Sequence, residues 1–213
     1  MTVDQTATTL ITKPEPHHTR PAAAPNGTFL LDLEAIKLRA REHLDDGAVT
    51  VGNRGDRQLI ISLLNDALAT ELVCVLRYRS HHFQSAARGG ISGFAVTTEL
   101  LQHSQEELAH ADLLANRISQ LGGEPDFAPQ GLASRSHTDY VVSTSLKHLL
   151  TEDLVAERIA IETYTALVRF VADKDPTTRR LFEDILAQEE GHADELSDLL
   201  RRLPASDDRA VGA

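Results

Sequence analysis

The chain has 213 residues, a formal net charge of −11 and a single cysteine. That length suits one sizeable domain with extensions. A lone thiol excludes a disulfide framework within the chain, and the lack of a clustered basic block argues against phosphate-backbone binding. The first residues carry neither a basic nor an apolar segment of the export type, and no continuous apolar run of about 18 residues follows. The expectation is a cytoplasmic protein with no membrane and no nucleic-acid partner.

Residues 1 to about 28 hold Pro14, Pro16, Pro21 and Pro25 and few apolar side chains, which predicts a flexible tail with His17 and His18 solvated. Leu31 to Asp46 reads as a short amphipathic helix stopped at Gly47, and 47–55 as a loop. Residues 1–55 are therefore expected to form an N-terminal extension. From Asp56 the residues Leu59, Ile60, Leu63, Leu64, Ala67, Leu68, Val75 and Tyr78 recur at helical spacing until Gly89-Gly90. Phe94 to Leu121 is a second helix, closed by Gly122-Gly123 and Pro125. Pro125 to Tyr140 is a long connection. Ser143 to Ala172 is a third helix, and Asp175-Pro176 opens a fourth that runs to Pro204, with proline where its missing N–H costs little. Residues 205–213 should fray. No segment is patterned as a strand, so the fold class is all-α: an antiparallel four-helix bundle with a long crossover over 56–204.

Two of these helices carry the same motif. Glu107-Leu-Ala-His110-Ala-Asp112 and Glu189-Glu-Gly-His192-Ala-Asp194 each place a carboxylate and an imidazole one turn apart on one helix face. Glu15-Pro-His-His18 has the same spacing in a proline-rich segment that cannot be helical, so the spacing alone carries no weight. What separates the other two is a lone helical glutamate upstream of each. Glu71 precedes Glu107 by 36 positions and Glu157 precedes Glu189 by 32, and each is followed seven residues later by a tyrosine, Tyr78 or Tyr164. Two helical hairpins of one plan, packed antiparallel, would bring four glutamates and two histidines together in the bundle interior, the arrangement of a carboxylate-bridged dimetal site. An acid in an apolar stripe needs a cation or a partner. The competing reading pairs Glu71 with an arginine such as Arg77 or Arg158. His103 lies on the face of Glu107 and reads as a packed or surface histidine, with a transient metal site or a hydrogen-bond donor as the alternatives.

On Glu71 with Tyr78, Glu107 and His110 followed by Ala-Asp, Asp153-Leu-Val-Ala-Glu157 and Glu189-Glu-Gly-His192, the chain resembles the bacterioferritin branch of the ferritin-like superfamily, Dps-like proteins included. The resemblance covers roughly Asp56 to Leu203. It implies a ferritin-like fold in which Glu71 and Glu157 are terminal ligands, Glu107 and Glu189 bridge, and His110 and His192 serve one metal each, with Tyr78 beside the centre. For Tyr78 the expected roles are an electron or a hydrogen bond to a bridging glutamate, or a structural cap of the bundle, and Asp residues of neighbouring helices are the expected partners of the His110 and His192 rings. It further implies a ferroxidase that stores iron, with Fe(II) and O2 or H2O2 as substrates, two Fe as the cofactor, Mn as the other candidate, and a homo-oligomeric shell of 12 or 24 subunits. Haem is not expected, because Leu108 stands where that branch has its haem-binding methionine. The alternatives are a dimanganese catalase or rubrerythrin-like peroxidase, and a DNA-protecting shell. The tail has only Lys13 and Arg20 before Phe29, which counts against DNA.

Overall fold

The computed structural model describes residues 31–203 apart from Arg54, Gly89 and Thr144, with residues 88 and 90–93 described by backbone alone. The predicted tails, 1–28 and 205–213, lie outside the described residues. The chain falls into two compact units, 1–38 and 39–213. The described residues contain helices and no strand.

Helix α1 spans Leu33–Arg39 and buries none of its residues. Asp32 opens it by accepting a hydrogen bond from the Ala35 N–H at 3.0 Å. The predicted helix over 31–46 therefore ends early. Asp45 and Asp46 would oppose the dipole at a helix C-terminus, and Asp46 instead receives both Arg57 guanidinium nitrogens at 3.1 and 3.2 Å. His43 turns left-handed (φ 51°) ahead of a single 3-10 turn, Leu44–Asp46.

Four long helices follow: α2 (Arg57–Arg88), α3 (Gly90–Gln120), α5 (Leu146–Val171) and α6 (Pro176–Arg202), with a one-turn α4 (Leu132–Arg135) in the crossover. α2 packs along α3 and α5 along α6, and the two hairpins meet through α2 with α5 and α3 with α6. Their residues sort into two apolar clusters. One takes Ile60, Leu64 and Leu68 of α2, Leu114 and Ile118 of α3, Leu167 and Val171 of α5, and Phe182 and Ile185 of α6. The other takes Cys74 and Tyr78, Val96 and Leu100, Leu149 and Leu150, and Leu196 from the same helices in the same order. α2 and α6 pass from the first cluster to the second, while α3 and α5 pass the other way, so each hairpin is antiparallel. Glu71, Glu107, Glu157 and Glu189 fall between the clusters on every helix. A polar layer is thus held between two apolar ones.

The helix ends are fixed chemically. Gly122 takes φ 76°, a conformation open to glycine. Its N–H bonds to the Ser119 carbonyl and that of Gly123 to the Ile118 carbonyl, both at 2.9 Å, which closes α3 in a Schellman motif. A side chain at Gly123 would meet Ile61 at 2.8 Å. Asp175 caps α6 by accepting from the Thr178 N–H at 3.1 Å, and the same carboxylate receives Arg117 of α3 at 2.8 and 2.9 Å.

The crossover lies along α2. Asp126 N–H donates to Asn65 Oδ1 at 2.8 Å, Arg135 reaches the Asn65 carbonyl at 2.9 Å, the His137 N–H reaches Thr70 Oγ1 at 2.9 Å, and Arg77 reaches the Asp139 carbonyl at 3.1 Å. By length and composition α2 could cross a membrane. Its apolar face, however, is the bundle core, interrupted by the buried charges of Glu71 and Arg77.

Candidate metal centre

The antiparallel hairpins bring all six predicted residues together. Glu71, Glu107, His110, Glu157, Glu189 and His192 are each at most 4% exposed. They form two groups that share Glu107 and Glu189: one with Glu71 and His110, the other with Glu157 and His192. His110 Nδ1 lies 3.1 Å from Glu189 Oε1, 3.3 Å from Glu107 Oε2 and 3.5 Å from Glu71 Oε2. His192 Nδ1 lies 3.2 Å from Glu107 Oε1, 3.3 Å from Glu189 Oε2 and 3.9 Å from Glu157 Oε2. Each shared carboxylate therefore turns one oxygen to each imidazole, as a bridge between two cations requires.

The spacing fits coordination. Ligand atoms about 2.1 Å from a first-row divalent cation stand roughly 3.0 to 3.4 Å from one another, depending on the angle between them. The contacts from both imidazoles to the shared carboxylates, 3.1 to 3.3 Å, are set at that separation, and those to Glu71 and Glu157 are wider, at 3.5 and 3.9 Å. Glu107 Oε1, both Glu189 oxygens and His192 Nδ1 are buried without a hydrogen-bond partner, which is costly in an interior unless something else binds them. Oxygen-rich donors with one imidazole per position suit hard to borderline cations such as Fe(II) or Mn(II).

The tyrosines complete the symmetry. Tyr78 donates to Glu157 Oε1 and Tyr164 to Glu71 Oε1, each from one hairpin to the lone glutamate of the other. A bond from Tyr78 to a shared carboxylate was one expectation. The structure gives it Glu157, because the two-turn spacing carries the phenol past the shared pair. The arginine reading also fails: Arg77 is taken by Asp153 at 3.1 Å, and Arg158 is exposed.

The imidazoles differ in support. His192 Nε2 meets Glu106 Oε2 at 2.9 Å, which orients the ring so that Nδ1 faces the shared carboxylates. His110 Nε2 is buried with no such partner. Asp partners from neighbouring helices were expected for both rings. Among the described residues the partner found is Glu106, adjacent to Glu107 in sequence but on the other side of the His192 ring.

The charges of the cation-free site are held by protons. Burial, then Glu189, Glu157 and Glu71, push the Glu107 carboxyl well above the carboxylate range. Burial with Glu157 and Glu71 brings Glu189 to about 7. Burial opposes the charged forms of His110 and His192, but the carboxylates facing the rings, Glu107 and Glu189 with Glu71 at His110 and Glu157 at His192, outweigh it and raise both. Burial also opposes ionised Glu157, yet His192, Glu189 and Tyr78 hold it at about 2.

These shifts set the pH dependence of the cation-free protein. Between about pH 4.5 and 7 the folded state keeps protons on Glu107 and Glu189 that the unfolded chain has released, and above about pH 6.5 it does the same at His110 and His192. Stability from those groups falls as pH rises through that window. The contribution of Glu157 and Glu71, whose carboxyls are lowered, is already complete there. The expected result is a Tm that declines from pH 5 to 8 without metal. Saturation with a divalent cation should remove the decline, since cations replace the protons. A cation-free Tm that climbs across this range would contradict the arrangement.

A four-helix bundle with four buried carboxylates, two imidazoles and two shared bridges defines the class of dimetal-carboxylate bundle proteins. The chain belongs to the ferritin-like family, whose ferritin-like domain matches residues 61–206. It is 33% identical over 149 residues to the bacterioferritin of Brucella melitensis, covering 68% of this chain and 86% of that protein. Among solved structures it is similar to the bacterioferritin-related dodecameric thioferritin of Bacteroides fragilis, with a TM-score of 0.65, 31% identity, and 70% and 88% of the two chains covered. The bacterioferritin of Desulfovibrio desulfuricans, solved with its diiron site in different catalytic states, superposes with a TM-score of 0.62 and 26% identity over 73% and 86% of the chains.

Proposed function

We propose that the protein is a ferroxidase that oxidises Fe(II) at this centre and stores the Fe(III) inside a homo-oligomeric cage, as a member of the bacterioferritin branch. The observation that carries the reading is the pair of carboxylates, Glu107 and Glu189, each turning one oxygen to His110 and the other to His192. Glu71 with His110 and Glu157 with His192 complete one cation position each. Two Fe(II) held this way give up one electron apiece at one place, so that O2 with two protons leaves as H2O2, or H2O2 with two protons leaves as water. The chain's own contribution is positional. Tyr78 and Tyr164 fix the terminal carboxylates, Glu106 orients His192, and apolar clusters on both sides exclude bulk water.

Bacterioferritin relatives, one solved neighbour with a diiron site and another that is dodecameric support iron as substrate and a closed shell. Leu76, Phe83, Phe94 and Val142 are exposed apolar side chains of the single chain, in keeping with subunit contacts. Anaerobic Fe(II) titration tests the reading. Binding should saturate at two per chain, O2 should then oxidise both in one fast phase, and excess iron should accumulate in a particle of shell mass. Saturation at fewer than two, or oxidation no faster than in buffer, would sink it.

A further inference from the structure

A second set of cation donors adjoins the centre and belongs to neither Glu-x-x-His pair. His103 of α3 is fully buried, and its Nδ1 has no hydrogen-bond partner. Its Nε2 lies 2.9 Å from Glu195 Oε2 on α6 and 3.5 Å from Glu99 Oε1 one turn back on α3. Those separations lie within about 0.1 Å on either side of the roughly 3.0 to 3.4 Å between ligands of one first-row cation. Glu99, His103 and Glu195 each bring one donor atom to within 4.8 Å of the other two. A divalent cation among these three would offset both carboxylate charges and take the imidazole as well.

The set leads somewhere. The Glu195 side chain is 49% exposed and that of Glu99 27%, whereas His103 is 0% exposed, so the donors run from solvent inward. The His103 ring stacks on His192 with centroids 4.2 Å apart, and His103, Glu106 and His192 form a further donor group. A cation leaving Glu99 and Glu195 thus meets donors continuously until it reaches the imidazole of the centre.

We propose that Glu99, His103 and Glu195 form a third site, for a first-row divalent cation, that stages cations on the solvent side of the dimetal centre. The site stands on its own residues; its staging role rests on the ferroxidase reading. The redox-inert probe is Co(II), counted per chain by equilibrium dialysis of the full-length assembly. Wild type should bind three. The E99Q/E195Q variant, chosen because both residues are partly exposed and the fold does not rest on them, should bind two. Glu107→Ala should leave the one at the outer site. If wild type and E99Q/E195Q both bind two, the third site is overturned while the dimetal reading survives. If wild type binds one and E99Q/E195Q none, the third site stands and the dimetal reading fails. In Fe(II) oxidation, E99Q/E195Q should raise the apparent KM for Fe(II) by about tenfold, in line with loss of a cation-holding group, with kcat retained. An unchanged KM would remove the staging role.

Discussion

Glu107→Ala should abolish fast Fe(II) oxidation, with a loss above the roughly 10- to 100-fold that removing a supporting residue costs in metal affinity. The reason is that Glu107 serves both cation positions at once: one oxygen lies 3.3 Å from His110 Nδ1 and the other 3.2 Å from His192 Nδ1. Truncating a terminal glutamate weakens one position; truncating a shared one weakens two and removes the link that holds both cations at electron-transfer distance. Glu106→Gln is the graded comparison, because it leaves every proposed ligand in place and removes only the carboxylate that orients His192, so its loss should stay within the 10- to 100-fold range. Stability supplies a readout independent of turnover. A cation held at 100 times its Kd stabilises the folded state by about 2.7 kcal/mol per site, which in a domain of this size is roughly 5 °C or more in Tm. Wild type should show that rise with Co(II) at both positions of the centre and Glu107→Ala should lose that share of it, although its circular dichroism without metal is unchanged. Oxidation at the wild-type rate in Glu107→Ala would remove the assigned centre.

That centre was legible in the sequence because helical periodicity converts spacing into position. Glu107 and His110 lie one turn apart whatever the surroundings, and the repetition at Glu189 and His192, each with an upstream glutamate and tyrosine, left one packing that satisfies all of them. The four long helices were legible for the same reason, and Gly122-Gly123 and Asp175-Pro176 marked their ends by local chemistry. The supporting residues were not. Glu106 follows the same helix as Glu107, but its partnership with His192 depends on how α3 meets α6, and nothing local encodes that. His103 read as a packed histidine, and burial agrees, yet its carboxylate neighbour Glu195 stands 92 positions away. The short helix predicted over 31–46 ended at Arg39 because an ion pair between Asp46 and Arg57 outweighed local propensity. Tertiary contacts decided every one of these points.

Asp153→Ala should be among the most destabilising single substitutions in the bundle, at about 3–5 kcal/mol, the cost of leaving a buried charge without its partner. Asp153 is fully buried on α5, one turn before Glu157. Its carboxylate accepts from Arg77 Nε at 3.1 Å and contacts His81 Nδ1 at 2.9 Å through both oxygens. Arg77 is itself 1% exposed, so truncating Asp153 strands a guanidinium in the interior. The damage should spread, because Arg77 also holds the Asp139 carbonyl and His81 the Val141 carbonyl, and both carbonyls belong to the crossover. Loss of the acid therefore loosens the segment that ties one hairpin to the other along α2. Denaturant unfolding of the cation-free protein should show the loss directly, with a Tm lower by roughly 6–20 °C. The Arg77→Met/Asp153→Leu double variant should recover much of it, because no unpaired charge remains. Recovery of stability without recovery of fast oxidation would assign the network a positional role toward Glu157 beyond its share in folding. A single variant within about 0.5 kcal/mol of wild type, the range of an ordinary surface change, would instead show that the buried triad holds neither the crossover nor the centre.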